Sequence, residues 1–183
     1  ATGIQVGTAF AFCEESGMDQ EIRQRVLGQS KSGELKIHTD PLASPTGFPI
    51  KVLHVPGTMS EPEVYAARTR ICDLGYLRTA YKKEDGSIGY RCPSEPVEDF
   101  VEKGGDIEET KGRKCICNGL LGTIGMAQKR KDGSEEIAIL TAGDDALKVG
   151  RFLKPGHSSY TAEDVVNHLL RRTESMVPLT ASR

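Results

Sequence analysis

The sequence predicts an α/β fold: one strand–loop–helix unit over residues 1–30, then an irregular α+β extension over 31–183. Three observations carry that prediction. A short apolar run, Ile4-Gln-Val-Gly-Thr-Ala-Phe-Ala-Phe12, opens the chain. An amphipathic stretch follows it directly. Beyond that, 20 glycines and 9 prolines spread through a chain that is 37% hydrophobic, which implies many loops around a modest core.

Residues 4–12 are nearly continuous in apolar character, the pattern of a strand covered on both faces. After the polar group Cys13–Gly17, Met18, Ile22 and Val26 recur every fourth residue with Leu27 beside them. Charged residues lie between, so the stretch reads as a helix ending near Gly28. Leu35–Thr39 and Ile50–Val55 are expected as short strands around a proline-rich loop, Asp40–Pro49. Glu61–Arg70 is expected as a short helix, and Tyr81–Tyr90 as a hairpin turning at Asp85-Gly86. A helical turn at Pro96–Lys103 should stop at Gly104-Gly105. Asn118–Gln128 is expected to be helical and Glu136–Thr141 a strand. The last helix starts at Thr161-Ala-Glu-Asp164, a capping box with Asp in place of Glu or Gln. Val165, Val166, Leu169 and Leu170 should share its apolar face, with Arg171-Arg172 at the favourable end of the helix dipole. A loose tail is expected after Thr173.

A formal net charge of −2 with dispersed Lys and Arg gives no nucleic-acid groove or membrane surface. The apolar runs fall short of the ~20 residues of a membrane span. The first residues lack the basic and apolar regions of a signal peptide. Cys13, Cys72, Cys92, Cys115 and Cys117 are odd in number, which argues against a disulfide framework and for a reducing, cytoplasmic setting. The chain opens at Ala1 and enters an apolar run at once, so it reads as beginning mid-protein.

Three groups could carry chemistry. Gly7-Thr8 suits either a packed strand or, at a strand end, the binding of a phosphate. Cys72, Cys92, Cys115 and Cys117 suit either a tetrahedral zinc site or scattered buried thiols; no compact run points to an iron–sulfur cluster. Thr141-Ala-Gly-Asp-Asp145 reads as a helix start with acids in its first turn, or as a contact to a metal or a ribose hydroxyl.

Gly3-Ile-Gln-Val-Gly-Thr-Ala-Phe10 resembles the eighth strand of the nitronate monooxygenases, also called 2-nitropropane dioxygenases, and Cys13–Gly17 resembles the loop after it. Thr39–Phe48, Arg70–Tyr76, Gly89–Pro93 and Gly112–Asn118 resemble a longer branch of that family. The resemblance covers nearly the whole chain. It implies that residues 1–30 are the last βα unit of a flavin-binding (β/α)8 TIM barrel, and that Gln5, Val6, Gly7 and Thr8 help bind the phosphate of FMN. The activity implied is oxidation of alkyl nitronates by oxygen, with a small-molecule substrate. A flavin-dependent enoyl reductase, or a non-catalytic fragment, is the alternative. The family's catalytic histidine lies on an earlier part of the barrel. His38, His54, His157 and His168 match no family motif, so no catalytic residue is assigned. The chain alone is expected to be inactive, its first strand unpaired on at least one edge and its first helix showing exposed positions among Met18, Ile22, Val26 and Leu27.

Overall fold

The computed structural model describes residues 3–174, with side chains to residue 170. Its elements, in chain order, are α1 (Thr8–Ala11), α2 (Gln20–Ser32), β1 (Ile37–Asp40), β2 (Ile50–Leu53), α3 (Pro62–Ala67), β3 (Thr79–Lys82), β4 (Ile88–Arg91), α4 (Val97–Glu102), a 3-10 turn (Ile107–Thr110), α5 (Ile116–Thr123), a second 3-10 segment (Asp144–Phe152) and α6 (Ala162–Glu174). They form two compact units. One combines residues 1–35 with 143–183; the other is 36–142. Residues 143–183 thus belong with the N-terminal segment and not, as the sequence suggests, with the extension. The tail after 174 and the side chains of Arg171 and Arg172 lie outside the described residues.

The first unit is helical. Residues 3–7 are irregular, and a turn of helix begins at Thr8, so the expected strand over 4–12 is not formed. A doubly covered strand needs neighbours for its N–H and C=O groups. Among the described residues none lies alongside, and the apolar side chains of Ala9 and Phe12 are buried by helix instead.

α2 is fixed at both ends. Asp19 Oδ1 accepts from the Ile22 N–H at 3.0 Å, and Gly33 closes the helix at φ +76, its N–H reaching the Gln29 and Ser30 carbonyls. The helix therefore runs past Gly28, which sits exposed in its interior. The expected exposure of its apolar face is corrected in part: Val26 and Leu27 are buried, and Met18 and Ile22 are half-buried. The cover is the Asp144–Phe152 segment. There, Ser30 Oγ donates to the Leu147 carbonyl at 3.1 Å and accepts from the Gly150 N–H at 3.0 Å.

α6 begins with the expected capping box. Thr161 Oγ1 accepts from the Asp164 N–H at 3.2 Å, and Asp164 Oδ2 accepts from the Thr161 N–H at 3.0 Å. Its buried stripe is narrower than expected. Val165 is buried, His168 and Leu169 are half-buried, and Val166 and Leu170 face out. Only positions three and four apart stay on one face of a helix.

The second unit holds two antiparallel two-stranded sheets. β1 pairs with β2 in the register Ile37↔Leu53 to Asp40↔Ile50, and β3 with β4 in the register Thr79↔Arg91 to Lys82↔Ile88. Gly86 turns the second hairpin at φ +83. The expected strand over 136–141 is a run of isolated pairings. The Leu53 N–H reaches the Leu140 carbonyl at 3.0 Å, the Met59 N–H reaches that of Ala138 at 2.9 Å, and Val52 bridges Thr141. These contacts build a small core of Val52, Met59 and Ile139, closed by Ile50, Ile116 and Ile137.

Candidate functional site

Gln5 and Gly7 are exposed; Val6 and Thr8 are half-buried. Gly7 is the residue before α1, with φ −114 and ψ −58. A side chain there would meet nothing within 4 Å, so the glycine faces open space. Thr8 Oγ1 accepts from the Gly143 N–H at 3.3 Å. That bond brings the Gly-Thr step to the start of the Asp144–Phe152 segment, a juxtaposition across 135 residues for which the sequence offers no signal. Asp144 and Asp145 stand in the first turn of that segment, and Asp145 Oδ2 accepts from Arg151 at 2.9 Å. Gly143 caps it without a side-chain bond. The acids therefore fit the helix-start reading.

The strand end that the phosphate reading expects at Gly7-Thr8 is not formed. Ile4 is 75% exposed and Gly7 fronts open space, so Gln5–Thr8 enclose no isoalloxazine ring by themselves.

The four cysteines of the extension all belong to the second unit, and all are free thiols. Cys92 and Cys115 are buried; Cys72 and Cys117 are partly so. Burial pushes the Cys115 thiol up to about 12 and raises that of Cys92. Direct hydrogen bonds tie the three segments that carry them. Arg70 Nη1 donates to the Pro93 carbonyl at 3.3 Å, and Ser94 Oγ to the Lys114 carbonyl at 2.8 Å. Asn118 Nδ2 donates to Asp73 Oδ1 at 2.6 Å and to the Ile71 carbonyl at 3.5 Å. Among the described residues, no three His, Cys, Asp or Glu side chains stand arranged to hold a metal ion. The cysteine segments converge; a closed ligand shell is not formed. Cys13 lies in the other unit, its thiol donating to the Phe10 carbonyl at 3.1 Å.

The histidines fall in two places. His38 and His54 face each other across β1–β2 with ring centroids 4.5 Å apart. Burial first, then the neighbouring His38 and Lys36, lowers the His54 pKa. His168 packs edge-on against Phe152 at 5.1 Å. A shallow polar groove beside β3–β4, lined by Tyr81, Lys83, Arg91, Glu102 and Lys103, contains no residue singled out from the sequence.

Comparison with family models, with curated proteins and with solved structures finds no match to this chain. Among the described residues no helix is long and apolar enough to cross a membrane.

Proposed function

We propose that this chain is part of an FMN-dependent oxidoreductase of the nitronate monooxygenase type, in which the Gln5–Thr8 segment holds the flavin phosphate. The reading rests first on the resemblance of Gly3–Phe10 and of the longer motifs through Asn118. No strand ends at this step; the structural support is an exposed Gly7 followed by a half-buried Thr8 at the start of α1. A glycine there lets an anion approach the backbone, and a threonine adds a hydroxyl donor. FMN, when bound, supplies the redox chemistry of nitronate oxidation by oxygen. The chain's own part is to bind and orient the phosphate, and none of its histidines is assigned a catalytic role. Five free thiols suit a reducing compartment, so a cytoplasmic location belongs to the same proposal.

Flavin fluorescence titration of the full chain tests the reading, with riboflavin, which lacks the phosphate, as the control. FMN should bind more tightly than riboflavin, and Gly7→Val should abolish that difference. Equal binding of the two flavins would overturn the phosphate assignment. With a nitronate added, the chain alone should show no oxygen uptake; turnover would mean that it carries a catalytic site unassigned above.

A further inference from the structure

The second unit is rich in loops. Its two sheets have two strands each, and the stretch that holds its cysteines is mostly loop. Loop-rich segments of this kind are commonly held by a cross-link or a metal. The four cysteines are free, so no disulfide holds them.

Their placement is not scattered. Each cysteine-bearing segment is hydrogen-bonded to the other two, and every bond lies within two residues of a cysteine. Arg70 joins the Cys72 segment to Pro93, next to Cys92. Ser94 joins the Cys92 segment to Lys114, next to Cys115. Asn118, next to Cys117, returns to the Cys72 segment at Ile71 and Asp73, one residue to either side. Ser94, Lys114 and Asn118 are themselves buried, so these ties are interior ones. Consecutive Cα atoms are only ~3.8 Å apart, so the bonds keep the backbones of the four cysteines within one region.

A second observation concerns charge. Arg68 is 9% exposed, and all three of its guanidinium nitrogens are buried without a hydrogen-bond partner. It lies over the Tyr65 ring at 5.5 Å; Cys115 is within electrostatic reach of it and of the buried Glu136 carboxylate, which Arg130 pairs at 3.3 Å. A buried cation without a paired anion is costly. Arg78 adds a second cation, its Nη2 donating to the Cys72 carbonyl at 2.7 Å. Four neutral thiols do nothing for the buried Arg68. Four thiolates around a divalent ion carry net negative charge and would compensate it, while the exposed Arg78 stays at the rim.

We propose that Cys72, Cys92, Cys115 and Cys117 form a structural tetrathiolate site for a zinc-class divalent cation, with Arg68 as its buried counter-charge. Among the described residues no three such donors stand arranged to hold a metal ion, so binding requires the thiol side chains to turn toward it. Binding releases the thiol protons to solvent, forms metal–sulfur bonds and turns the side chains inward, with no redox change. The Cys-x-Cys pair at the start of α5 supplies two ligands from one short segment, and the hydrogen-bonded loops bring the other two. The site lies in residues 36–142 and does not depend on the flavin reading.

Titration of the reduced full chain with Co2+ tests this directly on the folded wild-type protein. The expected result is one equivalent bound, with the intense visible bands and sulfur-to-metal charge transfer of tetrahedral thiolate cobalt, displaced by Zn2+. Cys115→Ser should lose the charge-transfer intensity, while Cys13→Ser, in the other unit, should match wild type. Arg68→Met should keep the spectrum but weaken binding about 10–100-fold, the usual effect of removing an outer-shell partner. A weak octahedral spectrum in the wild-type chain, or a spectrum unchanged by Cys115→Ser, would overturn the site. So would thiol counting that finds the four cysteines paired as disulfides in the purified protein.

Discussion

The Tyr160 hydroxyl donates to the Ala9 carbonyl at 2.5 Å, joining positions 151 residues apart inside the helical unit. Both residues are 1% exposed, and the Tyr160 ring packs against Phe152 at 5.0 Å. Tyr160→Phe keeps the ring and strands the carbonyl. An unsatisfied buried acceptor costs about 1–3 kcal/mol, so urea unfolding should show a loss of that size. A change within ~0.5 kcal/mol, ordinary for a surface site, would mean that water reaches Ala9.

Two glycines of the same unit should respond in opposite directions to the same change. Gly28 is exposed inside α2, and a methyl group there would meet nothing within 4 Å. Gly28→Ala should stabilise by roughly 0.5–1 kcal/mol through backbone entropy and helix propensity. At Gly150 the methyl group would sit 3.0 Å from both the Cα and the N of Lys31. Backbone atoms cannot rotate aside. Gly150→Ala should therefore destabilise by about 1–3 kcal/mol, as overpacking does. Thermal unfolding of the two variants checks the contrast, and a shift of the same sign in both would refute it.

The elements with local chemical signals were legible in the sequence. Asp85-Gly86 between two alternating runs and the Thr161/Asp164 pair mark a turn and a helix start, because their signals span only a few residues, whereas the Asp19 cap of α2 emerges only in the structure. Residues 4–12 misled for the opposite reason. A short apolar run without a period fits a buried strand or a buried helical turn, and only tertiary partners decide between them. Glycine is a common helix stop, so the sequence points to an end of α2 near Gly28, yet the left-handed cap is Gly33. Of the site, the Gly-Thr step and the cysteine set were visible as residue types. What brings them to their neighbours was not. The Thr8–Gly143 bond and the ties from Arg70, Ser94 and Asn118 are long-range, and Arg68 looked like any other surface cation.

In the second unit, Glu95 is 1% exposed; its Oε2 accepts from Lys103 at 2.9 Å and its Oε1 from the Cys92 N–H at 3.3 Å. The Lys103 side chain is 32% exposed, so the two partners are not equivalent. Lys103→Ala leaves a carboxylate buried and unpaired, which costs about 3–5 kcal/mol unless the group takes up a proton. Glu95→Gln leaves an ammonium that can turn to solvent, and it keeps an oxygen for Cys92. The lysine variant should therefore unfold at lower denaturant than the glutamine variant. The reverse order would show that the pair is held by Lys103 rather than by the burial of Glu95.

The capping carboxylate of α6 should make stability depend on acid. Asp164 has its pKa lowered to about 2, by the Lys154 hydrogen bond first and then by those from Thr161. Lys154 Nζ lies 2.7 Å from Asp164 Oδ1. In the unfolded chain an aspartate titrates near ~3.9. The native state therefore binds the proton less readily than the unfolded state does. The stabilisation from this group is complete above the unfolded value and falls as pH drops through the window from about 4 to about 2. Asp164→Asn removes the charge while keeping an oxygen for the Thr161 N–H. It should lower stability at neutral pH and flatten the acid limb of the stability curve, so that wild type and variant converge near pH ~2. Urea midpoints measured from neutral pH down to that point would show the convergence. Parallel curves would mean that Lys154 and Thr161 hold the protonated carboxyl as well as the charged one, and that the cap owes nothing to its charge.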